Sequence, residues 1–303
     1  MSNFIVNLLK AYKDEGYEIS VGLNPLNGST NGHFAYLVNL SDVEKATGGS
    51  DIDYDEYKKF IISKNASDEK KNIHSFILNI LTKLLSIIPA TRNSQEEKFE
   101  NQSYFFTGGG ISYEELFFFE MLLNSFKPRN EFLIGIASGW STIALGLISA
   151  EAKLWGMDNC TEGSDAFEGL QLTEKIAKNL KLNLSIYRGS SPEEIPIFLN
   201  GVGKIMDFAF IDGLHTNEQI FRDYIGLQPY MADTCIMTFH DVLCWNMIDG
   251  WKNIVRVAEK NNFQHRILRR TTSGMGILYR NIDQDTKECI DAFYQNPTFL
   301  CPT

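Results

Sequence analysis

No Cys-x-x-Cys pair occurs among the five cysteines, Cys160, Cys235, Cys244, Cys289 and Cys301. Their spacing suggests no cysteine zinc site, and their odd number suggests no disulfide framework. They are expected to be thiols in a reducing cytoplasm. The chain also lacks any run of ~18 apolar residues of the kind that spans a bilayer. Its one early apolar patch, Phe4 to Leu9, has no basic segment before it. A soluble cytoplasmic protein with no membrane partner is expected. Positive charge is short as well, with a formal net charge of −10. Phosphate backbones need a basic surface, so nucleic acid is not the expected partner. The local basic run Arg266-Ile-Leu-Arg-Arg270 fits a solvated strand end. Two phosphate-binding motifs are missing too. No G-x-x-x-x-G-K-[ST] occurs, and Gly135, Ala137 and Trp140 do not form G-x-G-x-x-G.

What is present divides in two. The 303 residues, 44% of them hydrophobic, can build a sizeable core. Residues 1–104 are expected to form a mostly helical extension serving as a lid or a dimer contact. Helices are predicted at Phe4–Tyr12, Asp51–Ser63 and Ile73–Ile88, with a turn-rich stretch at Asn24–Gly32. The last of these helices carries a wide apolar face, Ile73, Phe76, Ile77, Ile80, Leu81 and Leu84. Such a face packs either on the main domain or on a second subunit, and a homo-oligomer is expected. Thr91–Gln102 suits a polar linker. Gly108-Gly-Gly110 suits either a lid or a loose connection. Ser112 with Glu115 has the spacing of a capping box opening a helix through Leu123.

From residue 131 strands and helices alternate, the mark of a parallel sheet covered on both faces. Strands are predicted at 131–136, 152–157, 183–187, 206–211, 234–239, 263–269 and 274–280. Ser191, Pro192 and Glu194 suggest a capped helix start, as do Thr216 and Gln219. Thr271-Thr-Ser-Gly274 leaves no room for a crossover helix, so the last strand must run antiparallel to its neighbour. The expected fold is α/β, a Rossmann-like doubly wound seven-stranded sheet with an antiparallel last strand.

Ligands of such sheets sit at the carboxyl ends of the strands. Polar groups collect there in five places. Gly135, Ile136, Ala137, Ser138 and Gly139 make a tight turn, and Ser141 and Thr142 open the helix whose N–H groups would face a ligand. Asp158 ends the second strand, where a carboxylate can accept bonds from vicinal ribose hydroxyls. Gly189-Ser190-Ser191 follows the third strand. Asp212 with His215, and His240 with Asp241, follow the fourth and fifth. Two carboxylates and an imidazole suit Mg²⁺ or Mn²⁺. Alternatively Asp212 or His215 is a base acting without metal, or His215 is a structural residue hydrogen-bonded to Asp241.

The turn Gly135-x-x-x-Gly139-x-Ser141-Thr142 resembles motif I of class I S-adenosylmethionine-dependent methyltransferases. The segment Asp207-Phe-Ala-Phe-Ile-Asp-Gly-Leu-His215, with Asp223 and His240-Asp-Val242, resembles a subgroup of sugar and natural-product O-methyltransferases. The resemblance covers roughly residues 105–280. It implies S-adenosylmethionine as cofactor, held by the glycine turn, Ser141, Thr142, Asp158 and Asp212, with Ser190 near the adenine. It further implies a small hydroxylated acceptor, Asp212 and His215 as catalytic residues, and Asp212, His240 and Asp241 as metal ligands. Leu133 stands where the family usually has an acid. The other reading is accordingly a degenerate methyltransferase fold that binds a ligand or partner without catalysis.

Overall fold

The computed structural model describes residues 4–23, 33–39, 111, 113–161, 166–203, 205–268 and 274–295. The chain divides into two compact units, Met1–Gly110 and Ile111–Thr303. In the first, helix α1 (Phe4–Asp14) buries Phe4, Leu8, Ala11 and Tyr12, the i, i+4, i+7, i+8 stripe of an amphipathic helix. Strands β1 (Tyr17–Leu23) and β2 (His33–Asn39) then pair antiparallel, Tyr17 opposite Asn39 and Leu23 opposite His33. This hairpin is an addition to the helical extension expected. Its signal is the alternation Ile19, Val21, Leu23, followed in the sequence by the asparagine- and glycine-rich residues 24–32. The predicted helices at 51–63 and 73–88, the linker at 91–102 and the triple glycine lie outside the described residues.

The second unit contains helix α2 (Tyr113–Phe126), then β3 (Asn130–Ile134), α3 (Trp140–Ile148), β4 (Lys153–Asp158) and α4 (Ala166–Leu180). It continues through β5 (Leu184–Arg188), α5 (Ile195–Phe198), β6 (Met206–Ile211) and α6 (Asn217–Leu227) to β7 (Met231–Phe239). Helix α7 (Ile248–Lys260), β8 (Gln264–Leu268), β9 (Met275–Arg280) and α8 (Gln284–Gln295) complete it. The seven strands lie in the order β5-β4-β3-β6-β7-β9-β8. Strands β3 to β7 pair parallel, and β9 runs antiparallel to both β7 and β8. This is the Rossmann-like seven-stranded sheet with an antiparallel last strand that the strand pattern predicts.

Burial on both faces explains why the central strands are nearly continuous apolar runs. Along β6, Ala209 and Ile211 join Phe132, Ile134, Met237 and Phe239 in one layer with Ile220, Tyr224 and Trp251 of the covering helices. Phe208 and Phe210 stand edge-on to Phe119 of α2, at centroid distances of 6.0 and 5.4 Å. Among the described residues no helix is long and apolar enough to cross a membrane.

Two local expectations change. Ser191 does not cap a helix. Its hydroxyl donates to the buried carboxylate of Asp223 at 2.6 Å, Glu194 accepts from the Ser190 N–H at 2.7 Å, and α5 starts only after Glu194. A buried carboxylate that needs donors has outcompeted the cap. Helix α8, not anticipated, is fixed by Phe293 against Phe118 and by a 2.9 Å bond from Arg266 to Asp291. Thr216 caps α6 as predicted, accepting from the Gln219 N–H at 3.1 Å.

One buried carboxyl lies at the amino end of the sheet. Glu131 of β3 is 0% exposed, and burial, with repulsion from Asp207, pushes its carboxyl from 4.5 to about 8 despite help from Ser149. The folded state therefore holds a proton that the unfolded chain loses above pH 4.5. Stability from this group is full below that pH and falls as pH rises to about 8, by up to about 1.4 kcal/mol per unit. Glu131→Gln is expected to leave stability at pH 4.5 little changed and to raise it above the parent's at pH 8. Denaturant titrations at the two pH values test this, and an equal difference at both would contradict it.

Candidate functional site

The turn after β3 is shaped by its neighbours. Gly135 has φ +89°, and a Cβ there would lie 1.8 Å from the Asp212 carbonyl oxygen. Gly139 has φ +82°, and a Cβ there would meet Thr173 of α4 at 2.1 Å. Only glycine satisfies both the backbone angle and the close approach at either position. Gly169 similarly lets α4 approach the Ala137 carbonyl. Trp140, which replaces the third glycine of a dinucleotide motif, is buried and donates its indole N–H to the Ile111 carbonyl at 2.9 Å. Ser138, Ser141 and Thr142 are buried in the turn and the first turn of α3, whereas Ala137 is exposed.

Asp158 holds this turn in place. One carboxylate oxygen accepts from the N–H groups of Ile136 at 2.7 Å and Ala137 at 3.0 Å. The other accepts from Cys160 at 2.7 Å. A carboxylate has about four lone-pair sites, so three bonds leave room for a further donor. Ser190 lies just past β5, next to Gly189, whose N–H donates to the Asp158 carbonyl at 2.9 Å. Leu133 is fully buried in the middle of β3, between Gly156 and Phe210.

The ends of β6 and β7 bring together Asp212, His215, His240 and Asp241. His215 Nε2 lies 2.9 Å from Asp241 Oδ2 and 3.5 Å from Asp212 Oδ1. His240 Nδ1 lies 3.2 Å from the same Asp212 oxygen and 3.4 Å from the same Asp241 oxygen. One ligand atom from each of Asp212, His240 and Asp241 fits within a sphere of mutual distances up to 4.8 Å. The contact of His215 with Asp241 anticipated for a structural histidine is present, but it belongs to this larger cluster.

Two residues here escaped the sequence reading. Glu115 of α2 is fully buried and sits 3.1 Å from His240 Nε2, while Ser112, its partner in the expected capping box, lies outside the described residues. The signal available was its place directly before the mostly apolar stretch Leu116–Leu123. Trp245, 47% exposed, stacks on His215 with centroids 5.5 Å apart and planes 24° apart. Asp241, Trp245 and Asn246 all have positive φ, of 59°, 51° and 58°. For non-glycine residues that backbone is strained, and such strain concentrates at functional sites. Nothing in the spacing of these residues announces it.

The electrostatics follow from the packing. Burial alone would lower both histidines. In His215, hydrogen bonds to Asp212 and Asp241 outweigh it and raise the ring to about 10. In His240, the charges of Asp241, Asp212 and Glu115 do the same and lift it well above its ordinary value. Burial would raise the two aspartates, but His240 and His215 hold both below the usual carboxylate range. The cluster sets three acids against two imidazoles, partly or fully buried together.

Residues 132–242 match the family model described as a methyltransferase domain. No curated protein sequence matches it. Among solved structures it is similar to the O-methyltransferase TomG of Streptomyces achromogenes in complex with SAM. That likeness has 12% identity and a TM-score of 0.45, over 57% of this chain and 82% of that one. It is also similar to SAH-bound PaMTH1 of Podospora anserina, at 12% identity and TM-score 0.44, over 56% and 80%. A methyltransferase from Geobacter sulfurreducens gives 12% identity and TM-score 0.43, over 56% and 79%.

Two outcomes are expected from this geometry. Gly135→Ala forces a side chain into the Asp212 carbonyl at positive φ and should cost about 1–3 kcal/mol or more of stability. An unchanged melting temperature would contradict that contact. For His215, the folded value of about 10 exceeds the ordinary 6.5, so its stabilisation is full below 6.5 and lost as pH rises through 10. The deficit of His215→Ala relative to the parent should be larger at pH 6 than at pH 10, and denaturation at both values measures it.

Proposed function

We propose that the protein is an S-adenosylmethionine-dependent O-methyltransferase acting on a hydroxyl of a small molecule, a sugar or secondary metabolite, with help from a divalent cation. The observation that supports it most directly is the convergence of Asp212, His240 and Asp241 beside the glycine turn. The Asp212 backbone crosses that turn at Gly135, so the two halves of the site are adjacent by contact.

On this reading the turn 135–139 and the start of α3 hold the cofactor by close backbone approach, and Asp158 accepts from the ribose while keeping the turn in shape. Asp212, Asp241 and His240 offer oxygen and imidazole donors that suit Mg²⁺ or Mn²⁺. A bound cation would supply polarisation of the acceptor's oxygen. The transfer breaks the bond from sulfur to methyl and forms one from oxygen to methyl, in line. The chain's own task is to align the two partners. The acceptor hydroxyl must also give up its proton, and Asp212, 14% exposed at the edge of the cluster, is the carboxylate placed to take it. His215, held between Asp212 and Asp241, keeps both carboxylates oriented. Trp245 stacked on His215 provides a flat apolar surface beside this edge.

Calorimetric titration tests the cofactor. The sulfonium should bind and NADH should not, and Asp158→Ala should weaken binding by ~1.5–3 kcal/mol, the scale of a lost charged hydrogen bond. Unchanged affinity would remove Asp158 from the cofactor site. Chelation should abolish turnover while cofactor affinity persists, and full activity in chelator would exclude the cation.

A further inference from the structure

Glu115 has no role in the reaction proposed above, yet it is the carboxylate of the cluster most thoroughly withdrawn from water. It comes from α2, 125 residues from His240 in sequence, and both side chains are 0% exposed. Its neighbours along the helix, Leu116, Phe118, Phe119, Leu122 and Leu123, are buried apolar residues. Burying a carboxylate in such a layer costs several kcal/mol, on the order of the effective penalty per ion, unless a partner repays it. An apolar side chain would be the inexpensive choice for packing alone.

The geometry identifies the partner's role. His240 Nε2 faces Glu115 Oε2 at 3.1 Å, and Nδ1 faces Asp212 and Asp241 at 3.2 and 3.4 Å. An ionised carboxylate only accepts, so the nitrogen facing it must carry the hydrogen. With Nε2–H committed to Glu115, the ring cannot rotate without losing that bond, and Nδ1 stays directed at the two aspartates. A histidine that ligates a metal commonly donates its other N–H to a carboxylate, which fixes the ring and strengthens the donor atom.

We infer that Glu115 is a positioning residue for the cation site. Its carboxylate holds the Nε2–H of His240 and so presents Nδ1 as the third donor beside Asp212 and Asp241. The inference rests on the cation reading above and adds a residue to it from a different element of the fold. A cation bound there would displace the proton from Nδ1, leaving the imidazole a neutral donor with the carboxylate of Glu115 behind it.

The test uses Mn²⁺ as probe, with its affinity for the full-length protein measured by electron paramagnetic resonance. Parent, Glu115→Gln and Glu115→Ala are compared, with S-adenosylmethionine affinity and thermal melts recorded on each. Glu115→Ala is expected to weaken Mn²⁺ binding by about 10–100-fold, the usual effect of losing an outer-shell carboxylate. Glu115→Gln keeps an acceptor for Nε2–H but no charge, and should fall between parent and Glu115→Ala. Cofactor affinity should be unchanged in both, which a general disturbance of the sheet edge would not allow. If Glu115→Ala does not fold, Glu115→Gln decides, and Mn²⁺ affinity equal to the parent's overturns the assignment. A parent that binds Mn²⁺ and variants that bind it equally well overturn the role of Glu115 alone. A parent that fails to bind Mn²⁺ overturns the cation reading and the role of Glu115 with it.

Discussion

The carbonyl oxygen of Asp212 fills the space that any side chain on residue 135 would need. Much of the site depends on that one contact. It joins the turn after β3 to the loop after β6, so the part of the edge suited to a cofactor and the part bearing the acids cannot move independently. Backbone bonds just beyond the strands reinforce it. The Asp212 N–H donates to the Ile134 carbonyl at 2.8 Å, and the His240 N–H to the Ile211 carbonyl at 2.9 Å. The parallel ladder is thereby carried one residue past the strands, into the functional residues themselves. Rigid placement by strand ends is what in-line chemistry asks of a scaffold.

The second constraint is charge. Three carboxylates and two imidazoles meet at this edge, Glu115, His240 and Asp241 buried and Asp212 and His215 partly so, and the buried members are costly without their partners. Each aspartate contacts both histidines, and His240 contacts all three acids. Removing one group leaves its partners buried with an uncompensated charge. Such clusters are expensive in stability, and a site that concentrates charge at a sheet edge needs a chemical reason for it.

Much of the fold could be read from the residues. The alternation of apolar runs with helical stripes located all seven strands of the large sheet, β6 at its very limits, because parallel strands buried on both faces have a strong signature. The antiparallel last strand followed from chain length alone. Local signals fared less well where a buried charge intervened, as when Asp223 took the Ser191 hydroxyl from its expected cap. The acids and histidines at the strand ends were visible because loop positions after strands are few. Glu115 was not, because its role depends on a contact 125 residues away, and a capping box gave its spacing a sufficient local explanation. Strands β1 and β2 were less legible because each is a single short alternation, weaker than the apolar runs of the large sheet.

The order of the last strands has a consequence for how the sheet is completed during synthesis. Strand β9 lies between β7 and β8 and pairs with both. When residues 264–268 first emerge, their place at the rim of the sheet is separated from β7 by the width of a strand not yet made. Docking of β8 must therefore wait for Met275–Arg280. A chain stopped between the two strands would present the far edge of β7, with its Cys235–Phe239 N–H and carbonyl groups lacking their β9 partners, as an open template for other strands.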